Sequence, residues 1–409
     1  YGLVGSEMCI RDRQTFRYFW EGAEPTSGMA RERTSSGATV TTGGTGFGVM
    51  AMTVAAERGF VTRSEACQRV QRIVTFLAER ATSYHGAFSH WIDGQTGQTL
   101  PFSADDNGAD LVETGLLFQG LLTARAYFDG ADAAESKLRA DITALWEAVE
   151  WDFFTKEGTE KVLYWHWSPD KGWAMNMPIQ GWNEALIVYV LAASSPTHPI
   201  GREVYAEGWA RGGAMRNGKL FYDTVLPLGE DYGGPLFWAQ YSFLGLNPRG
   251  LSDAYADYWE QVCNHTRINY AYCVDNPKGY AGYGADCWGL TASDIPDGYT
   301  ASSPTNDRGV IAPTAALSSM PYTPDESMAA LRFFYYKLGD KLWSDYGFID
   351  AFDLTTGWFD RGMHIAIDQG PIVVMIENYR TGLPWNLFMS DKDVQRGLAE
   401  LGFTVEAGS

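Results

Sequence analysis

Apolar positions recur along most of this chain at three- and four-residue spacing, the pattern of helices that bury one face. The periodicity predicts helices over 14–22, 46–59, 63–82, 107–129, 134–154, 181–194, 200–214, 235–245, 251–269, 309–319, 325–339, 371–380 and 391–402. Several starts are recognisable. Thr62-Arg-Ser-Glu65 reads as a capping box, and Pro324-Asp-Glu326 and Ser390-Asp-Lys-Asp393 read as acidic first turns. The 63–82 helix is amphipathic, whereas 107–129 and 181–194 are apolar nearly all round and are expected to be buried. Buried and amphipathic helices roughly alternate, as two concentric rings would require. About a dozen helices in antiparallel pairs predict an all-α chain forming a single (α/α)6 barrel.

Strand patterns are few, at Phe88-Ser-His-Trp91 and Val162-Leu-Tyr-Trp165. Without β-α-β alternation, TIM barrels, Rossmann folds and β-sandwiches are disfavoured. No interior linker divides the chain, so 14–409 is expected to be one domain. The irregular stretch 270–308 is long enough to be functional and is expected to cap one end of the barrel. Residues 1–13 match nothing that follows and lack the apolar core of a signal peptide. They resemble translated adapter read-through and are expected to be a non-native leader. Finding these codons intact at the source locus would defeat that expectation.

Net charge is −19, which argues against nucleic acid and anionic membranes as partners. No apolar run approaches the length of a membrane span. The chain carries 15 Trp, 22 Tyr and 21 Phe, many in Gly- and Pro-bearing connections such as Tyr164-Trp-His-Trp-Ser168 and Tyr232-Gly-Gly-Pro-Leu-Phe-Trp238. Aromatic faces beside polar groups suit sugar rings, although core packing accounts for more than half of them. Cys263, Cys273 and Cys287 cluster in one region, where a Cys263–Cys273 or Cys273–Cys287 disulfide would suit an exported protein.

The acidic residues carry the chemistry. Asp106, Asp110 and Glu113 stand at i, i+4 and i+7 where an apolar helical run begins, within roughly 60° of one another on a helix face. Like charges on one buried face need partners, so this trio reads as the floor of a polar cavity. Calcium held by the three is an open alternative. Glu184 lies at the first turn of the next buried helix, and Asp368 stands before a helix that Pro371 can open at its N1 position. If the inner helices run the same way, these acids meet at one mouth. A helix N-terminus favours the ionised carboxylate, so for Glu184 to donate a proton, desolvation by neighbours such as Trp182 must win. Glu377 reads mainly as a structural carboxylate paired with Arg380. His166 and His364 could donate to a sugar but read first as satisfied histidines. Arg31 and Arg33 could bind sugar or neutralise the acidic helix. Gly43-Gly-Thr-Gly-Phe-Gly48 has the wrong spacing for a dinucleotide site, and no zinc, hydrolase-elbow or EF-hand motif occurs.

Taken together, Gln14-Thr-Phe-Arg-Tyr-Phe-Trp20, Ser27-Gly-Met-Ala-Arg-Glu-Arg33, Asp106-Asn-Gly-Ala-Asp-Leu-Val-Glu-Thr-Gly115, Gly181-Trp-Asn-Glu184 and Ile367-Asp-Gln-Gly-Pro371 resemble the glycoamylase-like proteins. The likeness is to glycoside hydrolase family 144, the endo-β-1,2-glucanases, and it runs from about Gln14 to Phe403. It implies an (α/α)6 barrel that hydrolyses linear β-1,2-glucan with inversion and without a cofactor or metal. By that resemblance Glu184 is the general acid, Asp368 the best candidate for the base, and Asp110 and Glu113 bind substrate or relay a proton. Asp106, Trp182, His166, Tyr232, Trp238, Glu377 and Arg380 are the expected substrate-binding residues. The alternatives are an exo-acting, sophorose-releasing hydrolase and a non-catalytic glucan-binding protein. A monomer with a periplasmic or secreted location is expected.

Overall fold

The computed structural model describes residues 2–406, and thirteen α-helices among them carry the architecture. They are α1 (Gly2–Trp20), α2 (Thr42–Glu57), α3 (Arg63–Glu79), α4 (Leu111–Tyr127), α5 (Ala133–Ala148) and α6 (Leu186–Ser194). The second half adds α7 (Tyr258–Asp275), α8 (Pro313–Leu317), α9 (Pro324–Tyr336), α10 (Gly339–Leu342), α11 (Ala366–Arg380), α12 (Leu383–Met389) and α13 (Lys392–Leu401). The fold is helix-rich with small sheets.

Helices α2, α4, α6 and most of α11 are buried on nearly every side, as their uninterrupted apolar sequence requires. α2 packs between α4 and α11, α6 lies beside α4, and α8 lies beside α11. Two 3₁₀ turns lie between α6 and α7 in the chain, Leu236–Ala239 packing on α7 and Tyr241–Phe243 on α6. Gln240 between them donates from Nε2 to Ala315 O at 3.1 Å and Ser319 Oγ at 3.0 Å. The amphipathic α3 and α5 pack outside α2 and α4, α13 outside α6, and α9 outside α8. Caps read from sequence are present: Thr62 and Glu65 form the capping box of α3, and Asp391 caps α13.

The glycine run from Gly43 is helical, so α2 begins at Thr42 rather than at 46. Its purpose is contact between helices. A Cβ on Gly46 would stand 2.3 Å from Leu116 O, and one on Gly120 would stand 2.1 Å from Gly46 O. The backbones of α2 and α4 therefore touch, with no side chain between them. Gly120→Ala is expected to lower stability by at least about 1–3 kcal/mol, read as a drop in Tm, because the clash is with backbone.

Other elements differ from the sequence expectations for local reasons. α1 begins at Gly2, and within it Met8 packs into the core near α8 and α9 while Asp12 is buried against Arg380. The 200–214 region is a short π-helical turn, Val204–Trp209, followed by Arg211–Gly213, where Gly212 breaks the helix with φ 62°. α11 opens at Ala366, which places Pro371 inside the helix rather than at its first position. Strands are more numerous than expected but only two to four residues long. The strand expected over Val162–Trp165 is instead formed just after it, by His166–Trp167 opposite Ala109–Asp110. The expected cap at 270–308 holds the end of α7 and one hairpin, Ala292–Ile295 with Gly298–Ala301. Cys263, Cys273 and Cys287 are buried free thiols, which overturns the disulfide reading. No described helix is long and apolar enough to cross a membrane.

Candidate active site

Helix starts and their preceding residues converge on one cavity of about 330 Å³. Thr41 before α2, Asp110 before α4, Glu184 before α6, and Ile365 and Ile367 at the start of α11 all line it. Trp91, Phe102, Trp165, Phe237, Tyr241 and Tyr299 supply aromatic walls. Asp110, Glu113 and Glu184 line this cavity together, whereas Asp106 and Asp368, expected at the same mouth, do not line it.

The trio Asp106, Asp110 and Glu113 does come together, but not as a helical stripe. Asp106 sits in the preceding loop, Asp110 in a two-residue strand at the N-cap of α4, and only Glu113 is helical. Asp110 Oδ1 accepts from Glu113 N at 2.8 Å, and its Oδ2 lies 3.2 Å from His90 Nδ1. The other nitrogen of His90 stands 3.8 Å from Glu113 Oε1. Glu113 Oε2 accepts from Gly43 N at 2.5 Å. Burial alone would drive the His90 proton off, yet Glu113 and Asp110 outweigh it and push the imidazole up to about 9. Burial would raise Asp110, but the hydrogen bond and charge of His90 hold it below the usual carboxylate range. Glu113 is raised, by burial first and by Asp110 second.

Asp106 is pushed up to about 7 by burial and by Asp110. Its Oδ2 lies 3.5 Å from His166 Nε2, and burial lowers the His166 pKa. Neither residue lines the cavity; both are buried, and His166 Nε2 lies 3.9 Å from Asp110 Oδ2.

Glu184 lies two residues before α6, not in its first turn. Its carbonyl accepts from Ser242 Oγ at 2.5 Å, which ties it to the Tyr241–Phe243 turn. Burial pushes its carboxyl up to about 7, aided by Asp110 and Glu113. The required desolvation is present. Trp182 does not line the cavity: its indole is buried and donates to His265 Nδ1 at 3.2 Å.

Asp368 is the third residue of α11, buried just behind the wall that Ile365 and Ile367 form. Its carboxyl meets that of Asp350, and burial followed by Asp350 raises its pKa well above the ordinary value. Asp350 Oδ2 accepts from Asp294 N at 2.8 Å. Arg33 Nη1 donates to both oxygens of Asp294, at 3.0 and 2.8 Å, and Arg33 Nε donates to Glu32 at 2.8 Å. Arg33 therefore serves this second acidic group, not the Asp110 helix. Arg31 donates to the backbone oxygens of Gly37 and Gly22.

Several expected contacts fall elsewhere. Glu377 and Arg380 occupy the far end of α11, about 14 and about 18 Å along the axis from Asp368. Glu377 binds Arg58 at 2.7 and 2.9 Å, and Arg380 binds Asp12 at 2.9 Å, so the predicted pair between them is replaced by two others. Tyr232 stacks on Phe221 with centroids 4.5 Å apart, away from the cavity. Trp238 packs over Gly234, while its neighbour Phe237 faces the cavity instead. His364 is satisfied between Thr34 Oγ1 at 3.1 Å and Ser344 Oγ at 2.7 Å. His90, Tyr241, Tyr299 and Asp350 were not anticipated. His90 and Asp350 stand in short connections, Tyr241 in a 3₁₀ turn and Tyr299 in a hairpin strand, and each gains meaning only from what folds against it.

Two groups gather atoms that a metal would need: His90 with Asp106 and Asp110, and Asp294 with Asp350 and Asp360. In the first the imidazolium already supplies positive charge, and in the second Arg33 does. Charge compensation therefore needs no ion at either place, and the calcium alternative gains nothing.

A helical scaffold whose helix starts deliver unlike carboxyls to an aromatic-walled cavity defines the class of protein. Residues 176–392 match the Glycoamylase family model. The chain is 48% identical over 407 residues to an exo β-1,2-glucooligosaccharide sophorohydrolase (non-reducing end) of Parabacteroides distasonis. That match covers 94% of this chain and 56% of the relative, so the chain spans little more than half of the curated relative's length. An endo-β-1,2-glucanase of Chitinophaga pinensis, solved with sophorotriose and glucose, is 51% identical with TM-score 0.95, covering 98% of each chain. An endo-β-1,2-glucanase of Talaromyces funiculosus, solved with sophorose, shares the fold at TM-score 0.70 but only 12% identity, covering 98% of this chain and 90% of the other. The chain belongs to the glycoamylase-like family, glycoside hydrolase family 144.

Proposed function

We propose that this chain hydrolyses β-1,2-glucosidic linkages of linear β-1,2-glucan by an inverting acid/base mechanism, releasing sophorose and short sophorooligosaccharides. One observation carries the reading: a single cavity holds Glu184 with its pKa near 7 beside Asp110, kept ionised by His90. Two carboxyls whose environments push them apart are what glycosidic cleavage needs. The names of the relatives in both bacteria support the linkage. The scaffold is read as an (α/α)6 barrel. Its inner ring is α2, α4, α6, the turns Leu236–Phe243, α8 and α11, which neighbour one another in a circuit.

In this mechanism Glu184 protonates the glycosidic oxygen. Asp368, which does not line the cavity, takes the proton of the attacking water through a relaying water or substrate hydroxyl, while Asp110 and Glu113 hold sugar hydroxyls or relay the proton. A second reading makes Asp110 the base, because it lines the cavity and His90 keeps it ionised. Asp368→Asn and Asp110→Asn separate the two: the base variant loses hydrolysis by about 10²–10⁴-fold and the other keeps more.

The deciding assay is new reducing ends from a panel of β-1,2-, β-1,3-, β-1,4- and α-1,4-glucans. Activity confined to β-1,2-glucan is expected, and none on that substrate would defeat the reading. Product lengths over time separate endo action from the exo action named for the Parabacteroides distasonis relative. A monomer in the periplasm or outside the cell completes the proposal.

A further inference from the structure

Asp350 is unassigned by any sequence motif, yet its carboxyl lies within hydrogen-bonding reach of Asp368. Both residues are 2% exposed. Asp350 Oδ1 and Asp368 Oδ2 are buried and accept no hydrogen bond from any described residue. Two buried carboxyls in contact cannot both be ionised, and each can satisfy the other only if a proton lies between them. The other groups facing the pair do not remove that need. Arg33 is engaged by Asp294 and Glu32. Asp360 adds a further carboxyl beside Asp294. Burial and then Asp368 raise the phenols of Tyr241 and Tyr299, which stay neutral, and Tyr18 donates to Arg31 O at 2.6 Å.

We propose that Asp350 and Asp368 form a dyad sharing one proton, and that the dyad, rather than Asp368 alone, is the base of the hydrolysis. The proposal rests on the reading of Asp368 as the base. In the step, the water oxygen bonds to the anomeric carbon as one water O–H bond breaks. That proton passes through a relaying water or substrate hydroxyl, which gives up its own proton to Asp368, while the shared proton settles on Asp350. The glycosidic C–O bond breaks, and its oxygen takes the proton of Glu184. The protein thus moves one proton from Glu184 to the dyad, which goes from a single negative charge to neutral. Asp350 is a positioning residue here, because it acts through Asp368.

The test is Asp350→Asn, which keeps shape and can still hydrogen-bond Asp368 but cannot hold the transferred proton. On β-1,2-glucan kcat is expected to fall about 10²-fold with KM little changed and Tm retained. Infrared difference spectra at about pH 9, above the titration of Glu184, should show a protonated-carboxyl band in the wild type. The band should disappear in Asp350→Asn and in Asp368→Asn. A wild-type spectrum without that band, or an Asp350→Asn enzyme with wild-type kcat, overturns the dyad. The spectrum needs no substrate. If the wild type fails to cleave the glucan yet shows the band, the hydrolase reading falls while the shared proton stands.

Discussion

Glu184→Gln is expected to lower kcat on β-1,2-glucan by about 10²–10⁴-fold while leaving glucan binding and the fold intact. The amide keeps the size of the side chain and loses only the proton that the leaving oxygen needs. The environment makes the effect specific. Burial raises Glu184 to about 7, so a large fraction is protonated near neutral pH, and Asp110 and Glu113 reinforce that state. The wild-type alkaline limb should therefore fall near pH 7, and it should be lost from whatever activity the variant retains. Steady-state kinetics across pH, with binding of sophorooligosaccharide measured by calorimetry, checks both parts. Wild-type turnover in the variant would remove Glu184 from the acid role even with the cavity correctly placed. A glucan-binding protein without catalysis would show no turnover to lose.

His90→Gln carries the other large effect, and it appears in stability as well as in activity. His90 lies between Asp110 and Glu113, 3.2 Å from one and 3.8 Å from the other. Its pKa rises from 6.5 to about 9 on folding, through Glu113 and Asp110 acting against burial. A group raised in this way stabilises the folded protein fully below its unfolded pKa and loses that contribution as pH rises through the folded value. The Tm difference between wild type and His90→Gln should therefore be greatest near pH 6 and vanish above pH 9. At its greatest it corresponds to about 3–4 kcal/mol, since each pKa step is worth about 1.4 kcal/mol. Activity should fall too, because Asp110 without its cation protonates more readily. Equal Tm differences at pH 6 and pH 10 would show that the imidazole is not charged.

The sequence disclosed the scaffold more fully than the chemistry. Long apolar runs such as 185–191 can only be buried helices, and Thr62 with Glu65 marks a helix start without outside help. The carboxylates Asp110, Glu113 and Glu184 were legible because a charge set at the edge of an apolar run needs an explanation. Boundaries failed where backbone contact decided them, as at the Gly46 and Gly120 crossing. The aromatic wall was legible only as composition. Phe237 and Trp238 are adjacent and chemically alike, and which one faces the cavity depends on the 3₁₀ geometry of the turn. His90 and Asp350 gave no local signal. Their partners come from elements 20 and 18 residues away, and each acquires its proton only from that encounter.

The hairpin Ala292–Ile295/Gly298–Ala301 brings Tyr299 to the cavity and is anchored to the body through Asp294, held by Arg33 and by the carboxyl of Asp350. On the reading proposed above, Asp110 and Glu184 sit on buried helix starts, whereas this ribbon adds a ring to the cavity from outside that scaffold. Lengthening, trimming or replacing the ribbon would then change what the cavity admits and leave those carboxyls in place, as long as the anchoring aspartate survives.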